Sequence, residues 1–172
     1  MDQTPPEQAL VILAQYIKDF SFENPNAPSI YQALSQRAPE IKVEVSVDAG
    51  VLDNRAFEVL LALRVGATVD DKTAFMIELD YAGIIQIGDS VPEAEMERLL
   101  FSEAPRFLFP FARGLLTKVT GDAAFPPLFI NPIDFESFYR NNKVGALAAA
   151  METPDAAPAA ETPAEAAAPD PS

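Results

Sequence analysis

Apolar and polar side chains alternate through much of the first half of the chain. Toward the end of residues 10–23, Tyr16, Phe20 and Phe22 fall to one side and Gln15, Asp19, Ser21 and Glu23 to the other, the pattern of a strand with one buried face. Asn24-Pro25-Asn26-Ala27-Pro28 ends it, because proline removes ladder donors and asparagine favours turns. A loop or short helical piece is expected as far as Pro39. Ile41 to Asp48 alternates at every position, and Gly50 to Asn54 reads as a turn with Asp53-Asn54 at its tip. In a third strand over 57–69, Phe57, Val59, Leu61, Leu63 and Val65 face the core while Glu58 and Arg64 face out. Asp70-Asp71-Lys72 closes a hairpin into a fourth strand over 72–87, with Phe75, Ile77, Leu79 and Tyr81 inward and Met76, Glu78 and Asp80 outward. Consecutive amphipathic strands with short turns predict an antiparallel sheet covered on one face.

The period then changes. Ser90 to Glu93 has the S-x-x-E form of a capping box, with Pro92 at an early helical position. Met96, Leu99 and Leu100 give a stripe, and Pro105 and Pro110 predict a break or kink. Phe107, Phe111, Leu115, Leu116 and Val119 follow at helical spacing, with Gly121 as the residue just past the helix. Asp134 is placed to cap a last helix presenting Phe135, Phe138 and Tyr139. Strands followed by helices give an α+β fold: a four-stranded antiparallel sheet, a long broken helix and a shorter C-terminal helix. The expected organisation is a flexible start over 1–9, one domain over 10–148 and a disordered tail over 149–172. The tail is Ala, Pro and acid, without Lys, Arg or a large apolar residue after Met151, so it has little to offset its ordering entropy. Helices apolar over much of their surface exceed what one sheet can cover, which predicts a homo-oligomer.

Composition narrows the function. The net charge is −14 and the pI about 4.2, the wrong sign for phosphate backbones or anionic membrane surfaces and the right one for a basic protein partner. The chain has no His and no Cys, so the commonest general base, thiol nucleophile and zinc ligands are missing. Neither a phosphate-cradling glycine loop nor an EF-hand spacing occurs. The acid pairs Asp70-Asp71 and Glu93-Glu95-Glu97 belong to a turn and a first helical turn, where acids are favoured structurally. No enzyme, cofactor or metal is expected. With neither a basic leader nor a run of ~20 apolar residues, a cytoplasmic protein is expected, without membrane insertion.

Two surfaces remain. Asp19, Glu23, Glu78 and Asp80, with Met76 among them, belong to outward strand faces; they are either simply solvated or a patch that docks a basic partner. Ile30, Tyr31 and Leu34 in the loop, with Phe135, Phe138 and Tyr139 on the last helix, are either core or the walls of a groove for foreign side chains.

The segment Tyr16-Ile17-Lys18-Asp19-Phe20-Ser21-Phe22-Glu23-Asn24-Pro25-Asn26-Ala27-Pro28 resembles the Y-x-K-D-x-S-F-E-x-P-N-A-P signature of the bacterial export-chaperone family SecB. Leu108-Phe109-Pro110-Phe111-Ala112-Arg113, and Phe125-Pro126-Pro127-Leu128 leading to Asn131-Pro132-Ile133-Asp134-Phe135, are similar to further family motifs, as are Thr73-Ala74-Phe75 and Gly83-Ile84. The likeness covers about residues 10 to 142. It implies a homotetramer built as a dimer of dimers, ATP-independent binding of unfolded precursor proteins in the cytosol, and delivery to the translocation ATPase SecA. It implies that Asp19, Glu23, Met76 and Glu78 receive the basic C-terminal segment of SecA, which carries its own zinc. A SecB-like holdase for a non-secretory client such as an antitoxin is the alternative; an enzyme with a carboxylate site and a purely structural oligomer are the readings from other classes.

Overall fold

The computed structural model describes residues 8–142; the expectations for the first residues and for the tail lie outside the described residues. Four strands, β1 (Leu10–Glu23), β2 (Glu40–Asp53), β3 (Ala56–Val69) and β4 (Lys72–Ile87), form one antiparallel sheet. Their spatial order is β1-β4-β3-β2. The chain leaves β1 through a short helix α1 (Ile30–Leu34) before entering β2 at the far edge. Both hairpins turn on two residues with positive φ, Asn54 and Arg55 (40° and 63°) and Asp70 and Asp71 (47° and 60°). That geometry matches the twist of the strands it joins. Arg55 is a poor residue for it, and its guanidinium is anchored by bonds to the carbonyls of Gly88 (2.9 Å) and Val91 (2.7 Å).

Two strand expectations are corrected. β2 does not end at Asp48: Gly50 pairs with Glu58 and Val51 with Phe57, so the turn is Asn54-Arg55 and not Gly50 to Asn54. The alternation fails at Val51-Leu52, but β3 supplies a ladder partner and the strand continues. In β1, Tyr16 does not share a face with Phe20 and Phe22. The register against β4 slips between Ile12 and Ala14 and again between Ile17 and Asp19. An extra residue in one strand shifts the alternation to the other face. Ile17, Phe20 and Phe22 therefore face the helices, opposite Tyr81, Leu79 and Ile77, whereas Tyr16 lies on the outer face.

Helix α2 (Glu93–Arg98), a π-helical turn (Leu99–Glu103) and α3 (Ala104–Asp122) run as one joined helix. Ser90 does not cap it. Pro92 occupies the cap position in an extended conformation without a side-chain bond, so Glu93 is the first helical residue and Ser90 stands too early to reach the free N–H groups. The expected break is the π turn instead. Pro105 has no N–H for the Phe101 carbonyl one turn back, and the widened turn absorbs the missing bond; Pro110 sits within α3. The helix passes Gly121 and closes on Ala124, whose φ is 61°. The N–H groups of Phe125 and Ala124 donate to the carbonyls of Thr120 (3.0 Å) and Gly121 (3.1 Å), the paired bonds of a Schellman stop.

Residues 125–134 then return along α3. The Leu128 N–H donates to Thr120 Oγ1 (2.9 Å) and the Thr117 hydroxyl to the Leu128 carbonyl (2.7 Å). Asp134 caps the last helix, α4 (from 135 to the end of the described residues), accepting from the Ser137 N–H at 3.1 Å, as the sequence predicts. The core lies between the inner faces of β3 and β4 and the α3 stripe Leu108, Ala112 and Leu116, all fully buried. Gly83 of β4 lets α3 approach: a Cβ there would stand 2.8 Å from Leu108 Cδ2.

Candidate functional site

Among the described residues no helix covers the outer face of the sheet, which is built by register. In the β1–β4 ladder Glu23 stands opposite Met76, Ser21 opposite Glu78 and Asp19 opposite Asp80. Directly opposed residues share a face about 5 Å apart, and Asp19 and Glu23 are about 13 Å apart along the strand. The fold thus brings Asp19, Glu23, Met76 and Glu78 onto one exposed surface two strands wide. Met76 is 41% exposed, an apolar spot among carboxylates. Arg64 of β3 borders the patch, with Nη1 2.7 Å from Asp80 Oδ1 and Nε 3.5 Å from Glu78 Oε2.

A second polar set on this face ties β1 to β3 across the small Ala82 of β4. Glu58 accepts from the Tyr16 hydroxyl (2.5 Å) and from Lys18 Nζ (2.6 Å). The Lys18 bond first and the Tyr16 bond second hold the Glu58 carboxyl below its usual 4.5, and the Glu58 bond raises Tyr16 above 10.0. A carboxylate depressed in the folded state stabilises fully above its unfolded value, and that contribution is lost as pH falls through the folded value. Glu58→Gln is therefore expected to flatten the acid side of the stability profile, measured as urea midpoints from neutral pH down to about pH 3. An unchanged acid slope would show that the carboxylate is not held this way.

The apolar candidates divide into two groups. Ile30 is buried at 1% exposure and Phe135 at 3%; both are core side chains here. Tyr31, half-buried, packs tilted against Phe125 (5.3 Å between centroids) and donates its hydroxyl to the Ala123 carbonyl at 2.8 Å. Leu34 packs partly buried at the same end. Phe138 lies beside Phe135, and Tyr139 stacks with Phe101. Phe135 in turn meets Phe109. Ala123 and Phe109 are about 21 Å apart along α3, so the α1 and α4 groups stand at opposite ends of that helix, joined by the 125–134 segment.

Further apolar exposure lies between them. Ile17 and Phe20 of β1 and Phe111 of α3 are 40–53% exposed. Together with Tyr16, Tyr81, Leu115 and Val119 they line adjoining clefts between the sheet edge and the helix. Phe107 and Phe111, four apart and off the buried stripe, are the sequence signal for this second face. Phe129 is 78% exposed on the returning segment. Among the described residues no cluster of His, Cys, Asp and Glu could hold a metal, and no helix is long and apolar enough to cross a membrane.

Comparison with known proteins fits this geometry. The family model described as preprotein translocase subunit SecB matches residues 3–145. The protein-export protein SecB of Rhodospirillum centenum is 46% identical over 131 residues, covering 76% of this chain and 77% of that protein. Its counterpart from Parvibaculum lavamentivorans is 45% identical over 154 residues, covering 88% and 85%. Among solved structures, a SecB-like chaperone of Mycobacterium tuberculosis, in complex with a ChAD peptide from an antitoxin, superposes with a TM-score of 0.60 at 16% identity. It covers 73% of this chain and 91% of that one, and so shares the fold. A match over nearly the whole described chain, with relatives near 45% identity, places the protein in the SecB family, whose members are protein-export chaperones and not enzymes.

Proposed function

We propose that this chain acts in the cytoplasm as an ATP-independent holdase. It binds unfolded precursor proteins on its helix side, keeps them competent for translocation and delivers them to SecA through the outer face of its sheet. The observation that carries this reading is the contrast between the two faces: uncovered apolar side chains on one, exposed carboxylates in register on the other. Apolar contact is non-directional at about 25 cal/mol per Å², so two apolar patches at opposite ends of α3, Tyr31 and Leu34 at one and Phe138 and Tyr139 at the other, with Ile30 and Phe135 buried beneath them, accept many sequences along an extended client. Folded proteins bury the segments it needs, so it discriminates against the native state.

Assembly follows from the same excess. The exposed Phe107 and Phe111 of α3, with Ile17 and Phe20 of β1, support a homotetramer formed as a dimer of dimers. Several client surfaces on one particle would raise avidity through effective concentration. Asp19, Glu23, Met76 and Glu78 receive the basic, zinc-carrying C-terminal segment of SecA, and the metal belongs to that partner. The names of the relatives support an export client over an antitoxin, and a client pull-down separates the two. The deciding experiment is suppression of aggregation of a chemically denatured protein. The chaperone is expected to hold it soluble at stoichiometric ratio without nucleotide; aggregation at the unassisted rate would overturn the proposal.

A further inference from the structure

Among the described residues, the outer face of β1, β3 and β4 presents five carboxylates, Asp19, Glu23, Glu58, Glu78 and Asp80, and two cations, Lys18 and Arg64, with Glu44 of the neighbouring β2 directly opposite Arg64 and Lys42 two positions along. The cations are not spread evenly. Lys18 is spent on Glu58 at 2.6 Å. Arg64 is held over Asp80: its Nη1 donates to the carbonyls of Leu63 (3.2 Å) and Leu79 (3.3 Å). Those bonds fix the guanidinium 2.7 Å from the Asp80 carboxylate, as an ion pair without an aligned hydrogen bond. Asp80 is 21% exposed, whereas Glu78, at 3.5 Å from Nε, is 60% exposed. The internal pairs remove Glu58 and Asp80 from the face. Of the five, Asp19 and Glu23 lie outside these pairs and Glu78, though 3.5 Å from Arg64 Nε, stays 60% exposed; these are the three that the proposed docking patch uses.

We propose that Arg64 is a specificity-determining residue of this patch: by occupying Asp80 and bordering Glu78 it withholds one carboxylate from incoming cations. The surface then accepts a basic segment whose charges meet Asp19, Glu23 and Glu78, and repels polycations that have no such spacing. The inference rests on the docking role assigned to the patch and adds how that patch chooses. Placing a fixed positive charge beside the wrong approach is a device of specificity more than of affinity. Because its backbone anchors lie at the sheet, Arg64 does not swing away with solvent as a free surface side chain would.

The test titrates the full chain with two probes, intact SecA and a synthetic oligolysine peptide, at low and high salt. Arg64→Gln is expected to tighten oligolysine binding at least about threefold at low salt and to steepen its salt dependence, while SecA gains less, so the ratio of the two affinities falls. Arg64→Lys, which keeps the charge, is expected to retain most of the discrimination. Unchanged or weaker oligolysine binding by a folded Arg64→Gln protein overturns the role of Arg64. Glu78→Lys in the same series separates the two ideas: if it leaves SecA binding intact, the docking patch itself is misplaced.

Discussion

Leu108→Ala is expected to cost about 2–5 kcal/mol of stability, the range for truncating a fully buried leucine that leaves a cavity. Leu108 is completely buried and is the residue through which α3 rests on β4 at Gly83. The reciprocal change, Gly83→Ala, puts a methyl 2.8 Å from Leu108 Cδ2 and is expected to cost about 1–3 kcal/mol through overpacking. The double variant is the sharper experiment. The new methyl occupies part of the space that Leu108 vacates, so the combined loss should fall short of the sum of the two. Urea unfolding at one fixed protomer concentration measures all four proteins, since association shifts apparent stability. Full additivity, or a Gly83→Ala protein as stable as the parent, would show that helix and sheet do not meet there.

Charge reversal at Glu78 has the largest expected effect on partner binding. Glu78 stands on the outer face between Asp19 and Glu23 in the cross-strand pattern, opposite Ser21, and its side chain is mostly exposed. A lysine there removes one attraction and adds one repulsion toward a basic segment. Solvent screening keeps such exposed terms small, so Glu78→Lys is expected to weaken SecA binding about tenfold at low salt, roughly 1.4 kcal/mol. The difference should shrink as the Debye length falls from ~10 Å at 0.1 M salt to ~3 Å at 1 M. Calorimetric titration reads the first effect and aggregation suppression reads client holding, which should not change. A parallel loss of both activities would mean that the substitution acts through the fold and that the patch is misassigned.

The period-two pattern of β3 and β4 revealed which side chains face the core, and Asp134 was recognisable as a cap, because both are decided by neighbours in sequence. Three features were not legible for the opposite reason. The bulge at Lys18 that sends Tyr16 to the outer face exists only against β4, with Tyr16 and Lys18 both reaching Glu58 on a strand two positions away. Strand order places β1 beside β4, a contact between segments about sixty residues apart that alternation alone does not encode. The helix stop fell on Ala124 and not on Gly121 because the returning segment, pinned to Thr120 and Thr117, dictates where the chain must reverse.

The acidic residues Asp19, Glu23 and Glu78 were nominated by likeness to a family signature; alternation put them outward, and pairing put them side by side. The exposed aromatic positions of α3 were harder to see. Phe107 and Phe111 have the same helical spacing as buried residues, and only the placement of the sheet shows that their stripe points elsewhere.

The surface assigned to cargo lies in the helix layer on one side of the sheet, and the surface assigned to the motor is the bare strand face on the other. On the proposed reading they are back to back, so loading one does not obstruct the other. A three-body complex is then sterically open, and transfer can proceed while the carrier is still docked, with no need for the motor to evict the polypeptide by competing for its seat.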